Sequence, residues 1–187
     1  MIIIELIEAL QKQIDFCERE RNYKCGIYVT SRIKKDIAMK VISNLLPVLN
    51  REVEIRNNQY ESYVKFPNGN LINIVSANNT ARGHRFNGII IDTMVNKEIV
   101  DTVIMPHLMP LFDENNRYDT NDNPLKRLYF CNIDADDVIK SAKYRPILYV
   151  TSARGNGKSQ KQLKEIMNAV AYGLRIESVN YDENIFE

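Results

Sequence analysis

Apolar residues recur at helical spacing in two segments near the start of the chain. They are Ile4, Leu6, Ile7, Leu10 and Ile14 in the first segment, and Ile33, Ile37, Ala38, Val41, Ile42 and Leu45 in the second. Each set forms an apolar stripe along one side of a helix. Ser31 precedes the second stripe, and serine is a preferred helix-capping residue. The pattern therefore predicts two amphipathic helices, with a charged break at Arg19–Lys24 after the first.

Short apolar runs elsewhere predict β-strands. Four continuous runs are Cys25–Thr30, Gly88–Asp92, Leu128–Cys131 and Ile147–Thr151, and three shorter ones lie near Val53–Ile55, Tyr63–Phe66 and Leu71–Val75. Pro67, Asn68, Gly69 and Asn70 form a strong turn signal between the last two of these strands. Later helices are predicted over Lys97–Phe112, Asp134–Ala142 and Lys158–Tyr172. Strands that alternate with helices predict an α/β sheet covered on both faces.

Three details refine the helix predictions. Pro106 and Pro110 are expected to kink or break the helix over Lys97–Phe112, because proline lacks an N–H and clashes with the preceding turn. Gly173 is expected to end the last helix. The polar segments Ser76–His84 and Asp113–Pro124 are predicted to be loops.

Composition limits the class of protein. The 187 residues suit one domain, 1–187. Hydrophobic residues make up 44% and charged residues 26%, as in globular proteins. The net charge is +1, so contact with nucleic acid requires a local basic patch. No stretch is long enough to cross a bilayer, and no membrane partner is expected.

The three cysteines do not indicate a metal site. Cys17, Cys25 and Cys131 include no Cys-x-x-Cys pair, and the chain has only His84 and His107 in addition. An odd number of cysteines favours reduced thiols and a cytoplasmic location.

The most informative motif follows the strand that begins at Ile147. It runs Ser152, Ala153, Arg154, Gly155, Asn156, Gly157, Lys158 and Ser159, and it opens a predicted helix. A phosphate-binding loop needs this order, because backbone N–H groups and the positive end of the helix hold the phosphate oxygens. Lys158 would neutralise the β- and γ-phosphates, and Ser159 would ligate Mg²⁺. Ser152 replaces the usual first glycine, and the alternative is an ordinary strand-to-helix turn.

A second element of an ATPase site is a strand that ends in a carboxylate. Asp92 follows three isoleucines and is predicted to hold the Mg²⁺ ion with Ser159. The alternative is an aspartate that only caps the turn after the strand. The next residue, Thr93, cannot act as the catalytic base that many such ATPases place there as glutamate. Glu98 is the substitute candidate, although a glutamate at this position is more often a solvated acid at the start of a helix.

Together these motifs resemble the ATPase domain of large terminase subunits, the motors that package DNA into phage heads. The loop Thr151–Ser159 resembles their Walker A motif, and Val64–Ile72 resembles the hairpin before their Walker B strand. Ala81, Arg82 and Gly83, followed by Gly88–Asp92, resemble their Arg-Gly and Walker B arrangement, and Tyr129–Asn132 occupies the place of their coupling strand. The similarity extends from Gly26 to Gly173.

The resemblance implies a three-layer α/β P-loop NTPase fold of the additional-strand type, RecA- and terminase-like, with ATP and Mg²⁺ as cofactors. It also implies that Arg154 stabilises charge on the γ-phosphate and that Arg82 lies near the nucleotide; a solvent-facing arginine is the alternative for both. In the family, Walker A precedes Walker B, whereas here the Walker B-like half lies in 1–135 and the Walker A half in 136–187. The strand before the P-loop and the strand that ends in Asp92 are still expected to lie side by side. The order indicates either a circular permutation or a domain-swapped dimer in which the P-loop completes a neighbouring chain.

These features predict an ATP-hydrolysing domain of a DNA-packaging motor, with nucleotide, double-stranded DNA, other phage packaging proteins and further copies of the chain as partners. The candidates for DNA contact are Arg32, Lys34, Lys35 and Lys40 on the second helix, and Arg82, His84 and Arg85 in one loop. Lysines on a helix are more often a solvated face. The alternative function is a nucleotide-binding, regulatory or assembly module that hydrolyses ATP poorly, which Thr93 favours.

Overall fold

The computed structural model describes residues 3–46, 53–58, 60–81, 83–144, 147–149 and 175–177. Its main element is a six-stranded sheet made of β1 (Lys24–Val29), β2 (Glu54–Asn57), β3 (Ser62–Lys65), β4 (Leu71–Ser76), β5 (Gly88–Asp92) and β6 (Leu128–Cys131). The strand order is β2-β3-β4-β1-β5-β6. Strands β4, β1, β5 and β6 are parallel to one another, while β2, β3 and β4 form an antiparallel meander.

Helices cover both faces of this sheet, as the alternation of strands and helices predicts. The helices α1 (Leu6–Arg19), α2 (Arg32–Leu45) and α4 (Ala135–Ser141) accompany one face. On the other face, a helical segment follows β5 and begins with the single turn α3 (Lys97–Ile99). The α/β fold class with helices on both faces is therefore confirmed.

The interior strand β5 lies between β1 and β6, and its position explains why its isoleucine run is continuously apolar. In β5, Ile90 packs into the core with α1 and α2, whereas Ile89 and Ile91 pack into the opposite core. Side chains of a strand alternate between faces, so a strand covered on both sides must be apolar at every position. All five residues of β5 are buried, including the terminal Asp92.

The hairpin predicted around the proline-asparagine-glycine turn is confirmed. Strands β3 and β4 pair antiparallel, with Val64 opposite Ile72. Gly69 has a φ of +85°, a conformation that glycine adopts without strain, and its N–H donates to the Phe66 carbonyl. The buried side chain of Asn70 then fastens the turn to the end of α1 by donating to the carbonyls of Cys17 and Glu20.

The segment after β5 differs from a plain helix. It changes from α3 to a π-helical turn at Val100–Ile104 and a 3-10 turn at Met105–His107. Leu108 is then extended and bridges Phe86. Pro106 lies within the last turn, so the predicted break is confirmed, and the helix ends before Pro110.

The carboxyl-terminal part contributes two further described strands. β7 (Ile147–Tyr149) pairs in parallel with β8 (Arg175–Glu177) in a two-stranded sheet. Strand β7 lies within the predicted strand Ile147–Thr151, whereas β8 was not predicted. The predicted helix Lys158–Tyr172 lies outside the described residues. No helix in the described ranges is long and apolar enough to span a bilayer.

Candidate functional site

The carboxyl ends of β1 and β5 bring the candidate residue Asp92 next to the start of α2. The two strands are parallel and in register, with Tyr28 opposite Ile91. The residues that follow each strand therefore emerge at the same edge of the sheet. In open α/β sheets this edge is where ligands usually bind.

Asp92 is completely buried, and three groups hold its carboxylate. Oδ1 accepts a hydrogen bond from Lys34 Nζ at 2.8 Å and one from the Met94 N–H at 3.2 Å. Oδ2 accepts from the Thr30 hydroxyl at 2.9 Å. A buried charge is costly unless it is paired and hydrogen-bonded, and both conditions are met here. Asp92 thus caps its own turn, as the simpler interpretation held, and it also forms an ion pair.

Lys34 is the residue at this edge whose role the sequence did not reveal. Ser31 caps α2 by accepting a hydrogen bond from the Lys34 N–H at 3.3 Å, and this cap orients the first helical turn. The side chain of Lys34 then reaches Asp92 and remains about one-fifth exposed. Lys34 was proposed from sequence as a DNA contact, but its ammonium group is engaged inside the molecule.

The chemistry around Asp92 suits a hard divalent cation, with one condition. Mg²⁺ prefers oxygen ligands and needs only one or two carboxylates when substrate phosphates and water complete the shell. Asp92 and Thr30 supply such oxygens. The ammonium group of Lys34 occupies the position next to the Asp92 carboxylate where a metal ion would bind. A metal ion must therefore bind Asp92 through a water molecule or displace the ammonium group. In the described residues no cluster of three or more histidine, cysteine or acidic residues could hold a metal by itself.

Thr93, which occupies the place of the usual catalytic base, and the substitute candidate Glu98 are both exposed. Thr93 follows Asp92, and its N–H donates to the Cys131 carbonyl at 2.9 Å. Glu98 lies in the first turn of α3, where the Asn96 side chain caps its N–H. Within the part of the chain that the structure describes, the carboxylate of Glu98 has no ion-pair partner. Its position matches a solvated acid at a helix start.

The predicted phosphate-binding loop, Ser152–Ser159 with Arg154, Lys158 and the metal ligand Ser159, lies outside the described residues, and so does Arg82. The strands before and after the loop, β7 and β8, are described, and they pair in parallel.

One expectation about strand positions is wrong. The strand before the P-loop was expected to lie directly beside the strand that ends in Asp92. Both edges of β5 are already occupied, by β1 and by β6. β7 instead pairs with β8. Apolar character identifies a strand but does not specify its neighbours, which is why the pattern did not reveal this arrangement.

The basic candidates for DNA contact fall into two groups. On α2, Arg32 and Lys40 are exposed, and Lys35 donates to the Asn58 carbonyl at 2.8 Å. In the loop before β5, Arg85 is exposed, whereas His84 is half-buried and stacks on Phe86 with 5.4 Å between ring centroids. Arg32 and Lys40 are therefore exposed to solvent, as lysines and arginines on helices usually are. His84 and Arg85 line a cavity.

The three cysteines are buried thiols. Burial raises the pKa of Cys131 to about 12, and it raises the pKa values of Cys17 and Cys25 as well. Thiols that remain protonated are poor nucleophiles and poor metal ligands. Their role is in packing.

Comparison with known proteins finds a similarity to a solved structure. No protein-family model and no curated protein sequence matches the chain. The crystal structure of the HK97 bacteriophage large terminase superimposes with a TM-score of 0.47 and 16% sequence identity. The superposition covers 86% of this chain and 36% of that one, so the chain spans about a third of the length of the terminase.

Proposed function

We propose that the chain binds Mg²⁺-ATP at the edge of the sheet where β1 and β5 end, and that it is the ATPase part of a DNA-packaging motor. The observation that carries the proposal is the position of Asp92. Its carboxylate is buried at the carboxyl end of an interior parallel strand, and oxygen and nitrogen donors hold it in place. A buried carboxylate at this edge is what the second half of a P-loop site requires.

Lys158 and the loop amides of Ser152–Ser159 would hold the phosphates, and Ser159 and Asp92 would hold the metal, which supplies charge neutralisation for phosphoryl transfer. Arg154 would stabilise charge that develops on the γ-phosphate. In this assignment Thr30 and Lys34 orient the carboxylate. The packaging role rests on the sequence motifs of the loop, the hairpin and the Walker B-like strand.

A module that binds nucleotide but hydrolyses it slowly is the second candidate, and one observation favours it. The residue after Asp92 is an exposed threonine, and the nearest substitute, Glu98, has the character of a solvated helix-start acid. Without a positioned base, attack by water loses about 10²- to 10⁴-fold in rate. Phosphate release at saturating ATP, measured with and without DNA, separates the two candidates.

The proposal predicts that Lys158→Ala abolishes nucleotide binding, because the loop loses the charge that faces the β- and γ-phosphates. Isothermal titration calorimetry with a nonhydrolysable ATP analogue and Mg²⁺ measures this directly. Lys143→Ala, at an exposed lysine of the same half of the chain, is the matched control and should bind like the wild type. Tight binding by Lys158→Ala would contradict the proposal.

A further inference from the structure

A cavity on the other face of the sheet combines basic side chains with a buried histidine. Its volume is about 430 Å³, and its walls come from the loop at Gly83–Arg85 and from the helical segment between Thr102 and Met109. Among the described residues that line it are His84, Arg85 and His107, and none of them is acidic. It shares no lining residue with the site around Asp92.

His107 is only 6% exposed, and a second buried residue fixes its hydrogen-bonding state. The Tyr28 hydroxyl lies 2.5 Å from His107 Nδ1. Tyr28 is fully buried, and burial raises the pKa of its phenol, so the hydroxyl keeps its proton and needs an acceptor. Burial also lowers the pKa of His107, with a smaller contribution from His84, so the imidazole is neutral. Nδ1 therefore accepts a hydrogen bond from the Tyr28 hydroxyl, and Nε2 carries the hydrogen atom of the neutral ring.

The Nε2–H of His107 is a donor that the described residues leave without a partner. Every fully buried side-chain nitrogen and oxygen atom of those residues has a hydrogen-bond partner, and His107 bonds only through Nδ1. Nε2 must consequently be accessible, and the cavity is the space that His107 lines. A neutral donor held in one tautomer is suited to a ligand that carries hydrogen-bond acceptors.

The walls that carry these groups are fixed to each other. The Phe86 N–H donates to the His107 carbonyl at 2.8 Å, and the Met109 N–H donates to the Phe86 carbonyl at 2.7 Å. The His84 ring stacks on Phe86 and meets the edge of His107 at 5.8 Å between centroids. The His107 ring is thus held in place before a ligand arrives, which reduces the entropic cost of binding.

A second cavity of about 410 Å³ shares Arg85 and Met109 with the first. Its lining adds Lys24, Asn22, Asn87 and Asn116, and again no acidic residue among those described. Basic and amide residues therefore line the spaces on which Arg85 borders.

We propose that this cavity binds a phosphate group, with the Nε2–H of His107 and the guanidinium of Arg85 donating to its oxygens. An arginine fork matches the oxygens of phosphate, and an N–H donor adds a directed contact. The absence of acidic residues from the described lining leaves the positive charge uncompensated, which favours an anion. Free phosphate and a nucleic-acid backbone both supply this chemistry.

The test uses the histidine signals of protein labelled with ¹⁵N-histidine, since the chain has only two histidines. The full chain carries Lys158→Ala, so that the proposed P-loop does not contribute to binding. Inorganic phosphate and a short single-stranded oligonucleotide are titrated separately while the His107 Nε2 signal is followed. We expect a saturable shift with at least one of them, and the arm that shifts identifies free phosphate or the phosphodiester backbone as the source.

Arg85→Gln removes an exposed charge at little risk to folding, and it should weaken binding about tenfold, the loss of one charge-assisted contact. Arg117→Gln, at an exposed arginine that lines neither cavity, is the matched control and should leave affinity unchanged. Absence of a shift with both ligands, or equal affinity of Arg85→Gln and wild type, would overturn the proposal. Tight ATP binding by Lys158→Ala would count against the proposed P-loop and not against this site.

Discussion

At the scale of single residues, the pair formed by Lys34 and Asp92 decides whether the candidate site can accept a metal. The sequence identified Asp92 because a carboxylate ends an apolar strand. Lys34 could not be distinguished from Lys35 or Lys40, because all three lie on one predicted helix. Only the packing of α2 beside β5 directs one of them at Asp92. The sequence pattern was thus sufficient to identify Asp92 as a buried acid, whereas its partner Lys34 could be identified only from the tertiary structure.

Replacing Lys34 by alanine should destabilise the protein by about 2–3 kcal/mol, because it leaves a buried carboxylate without its counter-ion. This is below the range for a fully buried pair, since the Lys34 side chain is partly exposed. Millimolar Mg²⁺ should restore part of the loss, because the variant removes the charge that competes for the carboxylate. Urea unfolding with and without Mg²⁺ measures both effects.

Lys35→Ala is the control for this prediction, because the Lys35 ammonium group donates to the Asn58 carbonyl and does not contact Asp92. It should change stability little, and Mg²⁺ should have no added effect on it. If Mg²⁺ stabilises Lys34→Ala no more than Lys35→Ala, Asp92 does not face a metal site.

His107 provides a pH-dependent contribution to stability. Burial, with a smaller repulsion from His84, lowers its pKa in the folded state, and the unfolded pKa is about 6.5. As the pH falls below about 6.5, the unfolded chain takes up this proton first, so stability decreases until the folded pKa is passed. Well above pH 6.5, His107 is neutral in both the folded and the unfolded state, and its contribution to stability is fully present.

Unfolding midpoints in urea between pH 7.5 and 5 test the assignment to His107. His107→Gln should show a weaker loss of stability on acidification than the wild type, since glutamine does not titrate and can still accept from Tyr28. His84→Gln, which changes the half-buried neighbour, serves as the comparison. Parallel pH curves for wild type and His107→Gln would show that the loss comes from other groups.

At the scale of elements, the sequence patterns located most helices and strands but not their finer geometry. Strand β5 lies at the predicted residues, and β2 is shifted towards Asn57. The π-helical turn at Val100–Ile104 was not predicted, because apolar spacing does not distinguish helix types with similar periods. The break near Pro106 was predictable, since proline restricts the backbone directly.

Gly88 shows how closely the elements approach one another. A Cβ atom at this position would lie 2.1 Å from the Tyr23 hydroxyl oxygen and 2.2 Å from Gln13 Oε1. Those two groups share a buried hydrogen bond of 2.6 Å, and Gln13 also donates to the Arg127 carbonyl. The contacts join α1 to β1 and to the start of β6.

Gly88→Ala should therefore destabilise the protein by about 2–3 kcal/mol and lower Tm by about 4–10 °C, because overpacking displaces this hydrogen-bonded group. Scanning calorimetry gives the value. Ser76→Ala, at the exposed end of the neighbouring strand β4, should stay within about 0.5 kcal/mol of the wild type. A Gly88→Ala protein as stable as the wild type would mean that α1 does not pack against β5 as described.

At the scale of the whole molecule, the α/β architecture followed from the pattern, while the strand order did not. Parallel strands pair through backbone groups that carry no sequence signal, so the neighbours of each strand depend on the whole chain. Because β1 and β6 flank β5, a phosphate-binding loop can reach Asp92 only across the carboxyl ends of the strands, from the same chain or from a second copy.

The most direct test of the proposed site is a crystal structure of the protein with Mg²⁺ and a nonhydrolysable ATP analogue. The proposal predicts one metal ion coordinated by Ser159, with Asp92 in its inner or water-mediated shell and Lys34 moved away from Oδ1. Ser159 and Asp92 come from one chain in a circular permutation and from two chains in a domain swap. A nucleotide bound elsewhere, with Asp92 still paired to Lys34 and remote from the metal, would contradict it.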